Sequence, residues 1–354
     1  ALIHSYANPQ LAEEWDNVGL LIGEPENEVT KILLALDLTE NAVNKAIKEK
    51  AQLIVTHHPA IFRPLKKITH PLYIKLIKNE IAVLSAHTNF DVTKGGVNSA
   101  LAEKLNLKNL EFISTKTGTD FYHISVMVPS ENAEKLKDTI VKVGGAEIGN
   151  YSQCFNSSIV EGEFIPNKNA NPSIGRKRIL EKVKELKIDF QAEGFKLSKI
   201  VRAIHKVHPY ETPVYYINQL TSKSPNYGLG FIGELSQPTN LRKFSKFVKE
   251  SLSAPNVDVW LANRDFDYSI RKIAICGGSG TSLLSKVIGK ADVFVSADFT
   301  YHTIIDSPIP LIDAGHFYTE QPSLDNFEKI LTVFHLPIIR ISIKEHIINK
   351  LVRM

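Results

Sequence analysis

Cysteine is scarce: the 354 residues hold two, Cys154 and Cys276. They lie far apart and form no CxxC pair, so neither a disulfide framework nor a paired thiolate metal site is encoded. Such low cysteine use fits a reducing compartment, and a cytoplasmic location is expected. Long apolar runs are missing too. None approaches the roughly 18 residues that a membrane span needs, and a signal peptide is not expected. Neither sign of charge dominates, since 42 basic side chains are set against 38 acidic ones for a net +4. That balance, without a basic run, argues against nucleic acid or an anionic membrane as partner. It leaves room for weak attraction of an anion such as a phosphorylated substrate. No repeat recurs at solenoid spacing. The opening residues, ALIHSYANPQLAEEW, read as the tail of a helix entered midway, so a natural start upstream of them is expected.

What is present reads as an ordinary globular protein, 43% apolar and 23% charged. The length exceeds what one hydrophobic core usually serves, so two domains are expected. Apolar strands at 31–39, 52–59 and 81–91 alternate with helical patterns at 40–50, 71–80 and after Gly95–Gly96. Strands at 271–280, 291–298 and 309–316 alternate with helices in the same way. This α/β alternation predicts one mostly parallel sheet with helices on both faces, shared by residues 1–122 and 223–354. Between them, 123–222 follows a strand–helix–strand–strand–helix–strand order, which predicts an inserted ferredoxin-like α+β domain.

Three segments could carry chemistry. In THHP, His57 and His58 close a buried strand. Neighbouring strand residues point to opposite faces, so both serve one site only where the backbone bends, or with metals on either side. Two core or solvated histidines would look the same in sequence. HTNFD places His87 and Asp91 just past another strand, where the carboxylate could bridge cations or simply form an Asx turn. GHFYTE places His316 and Glu320 four residues apart, on one face if helical, or at an ordinary capped helix start. All three lie at carboxyl ends of predicted strands, where open α/β sheets place ligands. Nitrogen and oxygen ligation without thiolate suits zinc foremost, with manganese, iron or nickel also compatible. His87, Asp298 and His302 are candidate acid–base groups. CGGSG (276–280) reads as a structural tight turn, and Trp15 is expected to pack the first helix.

At these residues a family comes into view. WDNVGLLIG (15–23), LIVTHHPAIF (53–62), HTNFDVTKGGVN (87–98), CGGSGTSLL (276–284) and IDAGHFYTE (312–320) resemble the NIF-three-like proteins, whose bacterial members are called GTP cyclohydrolase 1 type 2 homologs. The resemblance covers almost the whole chain. It implies two divalent metal ions per chain, held by His57, His58, Asp91, His316 and Glu320. It also implies a toroidal homohexamer, a trimer of dimers, and a middle domain of PII/CutA-like fold in the long form of the family. VHPYETPVYYI (207–217) and YGLGFIGEL (227–235) look like that form. One departure is Phe231, where the family often has Arg. A metal-dependent hydrolase of a nucleotide or phosphorylated small molecule is the implied activity. A non-catalytic regulatory ring protein that binds metal and an effector is the alternative.

Overall fold

The computed structural model describes residues 2–346. The chain divides into two compact units, Ala1–Lys116 with Asn226–Met354, and Thr117–Pro225. Among the described residues no helix is long and apolar enough to cross a membrane.

The larger unit contains two sheets, not the single sheet expected, and both are mixed. The first is five-stranded, in the order Gly19–Ile22, Ala82–Ser85, Leu53–Thr56, Ile32–Ala35, Ile338–Arg340. Its four strands from 82–85 to 338–340 run parallel. The 32–35 and 82–85 strands are buried at every position, as a sheet covered on both faces requires. The 19–22 strand pairs antiparallel with 82–85 and makes the sheet mixed. One covering helix is Glu40–Glu49, whose Thr39 cap accepts from the Ala42 amide and whose Ala42, Val43 and Ala46 are buried.

The second sheet is six-stranded, in the order Asp258–Trp260, Leu311–Asp313, Val293–Ala297, Ser269–Ser279, Gly228–Asn240, Lys108–Thr115. Only the pairs among 269–279, 293–297 and 311–313 are parallel. The others are antiparallel. The expectation failed at the strands that add this character. Residues 108–111 are exposed and polar but for Leu110, 228–233 is rich in glycine, and neither shows the apolar run of a buried parallel strand.

The unit Thr117–Pro225 carries a four-stranded antiparallel sheet in the order Phe155–Phe164, Glu181–Glu193, Asp120–Val128, Tyr215–Lys223. Ile124, Val126, Val128, Ile188 and Phe190 meet Leu136 and Ile140 of helix Ala133–Lys142, and Ile200 and Ile204 of helix Leu197–Val207, in one core. The intervening residues Met127 and Glu185 therefore point to the opposite face.

Candidate metal centre

The site gathers at the carboxyl ends of strands in the larger unit. Strand 53–56 stops at Thr56, and the His58 amide bonds back to the Leu36 carbonyl at 3.0 Å. The bend turns both imidazoles to one place. His57 Nε2 lies 3.5 Å from Asp91 Oδ1 and 3.8 Å from Glu320 Oε1. His58 Nε2 lies 3.0 Å from Glu320 Oε2, and His316 Nε2 3.1 Å from Glu320 Oε1. Asp91 ends the short helix Thr88–Asp91. His316 and Glu320 bound the helix His316–Glu320 and share a face. The five residues expected as ligands are thus brought together. Two ligand triads, His58–His316–Glu320 and His57–Asp91–Glu320, share Glu320, and His57, His58 and His87 form a third.

Each histidine is held by its far nitrogen. His57 Nδ1 bonds the Ala86 carbonyl at 2.9 Å, which accepts only, so Nδ1 carries a proton and Nε2 is the nitrogen turned to the cluster. His58 Nδ1 bonds Asp37 Oδ1 at 2.7 Å, and His316 Nδ1 bonds Asp298 Oδ2 at 2.5 Å. His87 Nδ1 bonds Asp16 Oδ1 at 2.9 Å. A carbonyl or carboxylate on Nδ1 fixes ring orientation and raises the basicity of Nε2, the usual support of a metal-ligating histidine.

The electrostatics favour positive charge. Burial pushes the Asp91 carboxyl up to about 7, and the neighbouring Glu320 charge acts in the same direction. Burial also works against a charged Glu320, yet His57, His316 and His58 hold it well below the usual carboxylate range. At His58 burial disfavours the imidazolium, but Asp37 and Glu320 outweigh it and raise it to about 10. At His316 the same contest with Glu320 and Asp298 ends at about 9. His57 Nε2, Asp91 Oδ1 and Glu320 Oε2 are buried without a hydrogen-bond partner; the His58–Glu320 approach lacks a hydrogen bond's alignment. Orphaned buried donors and acceptors are rare in folded proteins. Three converging on one point, with a nitrogen and oxygen donor set, fit a divalent metal ion.

The remaining candidates separate. His87 faces the cluster, its ring centroid 5.2 Å from that of His57 and 5.5 Å from that of His58. Asp298, at φ 55° just past strand 293–297, orients His316. His302 is exposed on helix Tyr301–Asp306 with its ring against Tyr301. Among the described residues no hydrogen bond or ring contact joins it to the cluster. Asn89, between His87 and Asp91, is engaged with the backbone: its Oδ1 accepts from the His87 amide and its Nδ2 donates to the Ala7 carbonyl. Phe231 is a core residue, stacked on Phe112 at 4.4 Å.

Sequence reasoning overlooked Asp37 and misread two segments. Asp37 bridges His58 Nδ1 and His346 Nε2, the latter at 2.8 Å. It stands two residues past strand 32–35, so the strand-end rule that found the histidines also points to it. Gly277 and Gly278 lie in strand Ser269–Ser279 and do not form the tight turn expected of CGGSG. They close the 269–279 strand beneath Glu320, where a Cβ on Gly278 would overlap Glu320 Oε1 and lie 3.1 Å from His316 Nε2. Trp15, expected to pack against the first helix, is instead 59% exposed. Its ring lies 6.0 Å from that of His87 and 5.7 Å from that of the exposed Phe62.

Comparison with known proteins agrees with this architecture. The profile of the family described as Duf34/NIF3 (NGG1p interacting factor 3) matches residues 1–347. A GTP cyclohydrolase 1 type 2 homolog of Staphylococcus epidermidis is 39% identical over 329 residues, covering 90% of this chain and 88% of that one. The protein of the same name from Halalkalibacterium halodurans is 37% identical over 339 residues, covering 93% and 88%. The crystal structure of a Bacillus cereus protein related to NIF3 superposes with a TM-score of 0.78 at 34% identity, covering 97% of this chain and 95% of that one.

Proposed function

The chain belongs to the Duf34/NIF3 family, and from that premise and the geometry of the cluster we propose a metal-dependent hydrolase acting on a nucleotide or phosphorylated small molecule. The observation that carries the reading is the convergence of Nδ1-anchored imidazoles on buried, unpartnered carboxylate oxygens. His57, His58, Asp91, His316 and Glu320 would hold two divalent ions, zinc foremost and manganese, iron or nickel by the same donor logic, with Glu320 common to both triads. Ions so held supply Lewis acidity and a water acidified toward neutrality.

The chain's own groups do the rest. Asp37, Asp298 and Asp16 fix the rings of His58, His316 and His87. His87 Nε2, beside the cluster and outside the five-residue ligand set, is placed to move a proton. Trp15 and Phe62 offer exposed aromatic faces at this edge. The chain around Trp15 is fixed, because Asp16 accepts from Thr88 N at 3.1 Å and Asn17 Nδ2 donates to the Ile61 carbonyl at 2.5 Å. A rigid exposed aromatic beside a polar cluster suits stacking of a nucleobase, which supports a nucleotide over a plain phosphate ester. The relatives' name points the same way, toward a guanine nucleotide.

The inserted unit's strand order supports a ferredoxin-like fold of PII/CutA type. Family membership supports a homohexamer, which light scattering tests. Two free thiols, one of them buried, suit a cytoplasmic setting.

The test is elemental analysis of protein purified without chelator or added metal, with GTP turnover assayed on the same sample. About two ions per chain and GTP consumption are expected. Metal without turnover would move the reading to another substrate or to a regulatory role. His57→Ala, His58→Ala and Glu320→Ala should each deplete the metal and leave the far-ultraviolet circular dichroism unchanged; unaltered metal content in all three would refute the site.

A further inference from the structure

The face of the 117–225 sheet opposite its helices holds a cavity of about 550 Å³, within the range of small-molecule sites. Met127, Val160, Phe164, Ile174 and Val214 give it an apolar wall. Into it faces Glu185, only 7% exposed, whose Oε1 is buried without a hydrogen-bond partner, as is the hydroxyl of Tyr210 on the same wall.

Among the described residues no Lys, Arg or His nitrogen forms an ion pair with Glu185. The carboxylates at the rim are otherwise occupied: Glu163 pairs with Lys182 at 2.6 Å, and Glu211 accepts from the Asn171 amide at 2.8 Å. His208, 8% exposed, is committed as a neutral ring. Its Nε2 donates to the Met127 carbonyl at 2.7 Å and its Nδ1 accepts from the Tyr210 amide at 3.1 Å. Burial lowers its pKa in the same sense. A buried carboxylate costs stability unless it is paired with a cation, and the nearest internal partner of this one is only the neutral Tyr210 hydroxyl, whose pKa burial and then Glu185 raise.

We propose that this cavity binds a small organic cation, an ammonium group on an apolar body, with Glu185 as its counter-ion and the Tyr210 hydroxyl as a neighbouring acceptor. A bare metal ion fits poorly, because it would need several oxygen ligands where the wall is mostly carbon. An anion is repelled. The site shares no residue with the metal centre, so the two readings stand or fall separately.

Ligand-observed nuclear magnetic resonance on the full chain tests this with n-hexylammonium, n-hexanol and hexanoate, alike in length and different in charge. The ammonium should bind about tenfold or more tightly than the alcohol, the margin expected of a charge-assisted contact, and hexanoate should not bind. Glu185→Gln, close in shape, should reduce the ammonium to the level of the alcohol. Equal affinity of ammonium and alcohol in the native chain overturns the proposal whatever the variant does, and so does no binding by either. Ammonium affinity that falls as protein concentration rises would assign the cavity to a side chain of a second copy and also overturn it.

Discussion

At the scale of single residues, the metal centre depends on an absent side chain as much as on the ligands. Gly278 sits at φ +63° against Glu320. Its amide donates to Thr319 Oγ1 at 3.0 Å and its carbonyl accepts from Ser296 Oγ at 2.9 Å, so the backbone cannot withdraw cheaply. Alanine there would carry a left-handed penalty of about 1–2 kcal/mol and displace the Glu320 carboxylate. Gly278→Ala is therefore expected to lower metal content sharply while the chain still folds; retention of full metal content would show that Glu320 is not confined as described. Asp37 acts at one remove. Asp37→Ala leaves the His58 ring free to turn, and a loss of roughly 10–100-fold in metal affinity is expected, read by competition with a chromophoric chelator. An unchanged affinity would leave Asp37 a merely structural role.

At the scale of elements, the strand ends were legible and the sheet edges were not. His57, His58, Asp91, His316 and Glu320 follow apolar runs, so their place past strand carboxyl ends could be read from pattern; that 53–56 and 82–85 belong to one sheet and 311–313 to another could not. The strands 108–115, 228–240 and 258–260 carry no long apolar run, 19–22 carries only a short one, and each is partly exposed. Their antiparallel pairing depends on partners distant in sequence. The edge strand 338–340 shows what such an element contributes. Pairing with 32–35 delivers the turn Ile343–Glu345 and then His346 to Asp37. Ser342 and Glu345 cap that turn reciprocally, and Lys45 Nζ lies 2.9 Å from Glu345 Oε2. Lys45 and the Ser342 groups hold the Glu345 carboxyl down at about 2. A depressed carboxyl stabilises fully above its unfolded value near 4.5 and loses that contribution as pH falls through about 2. The side chain is 42% exposed, so solvent keeps the effect small. Glu345→Gln should speed amide hydrogen exchange at His346, which donates to the Ser342 carbonyl at 3.1 Å. The difference from the native chain should be greatest near neutral pH and shrink toward pH 2; equal exchange at pH 7 would remove the cap from this account.

At the scale of the whole molecule, the insertion enters and leaves at one place. Strands 108–115 and 228–240 pair antiparallel with Thr115 opposite Gly228, and the Lys116 amide bonds the Tyr227 carbonyl at 3.1 Å. On the other side of the junction, Asp120 stands opposite Lys223 and the Ser224 amide bonds the Thr119 carbonyl at 3.2 Å. Each unit thus closes its own hairpin at the boundary, and all the proposed metal ligands lie in the larger one. Replacing Thr117–Pro225 by Asn-Gly asks only for a tight turn between strands already in register, and shortening a loop lowers the entropy of closing it. The shortened chain is expected to fold, to bind metal in the same amount per chain as the full protein, and to lose the ammonium binding proposed for the inserted unit. Elemental analysis beside a thermal melt decides it. A folded shortened chain without metal would mean that the inserted unit helps to build the centre, and a chain that does not fold would mean that the two units are not separable along this boundary.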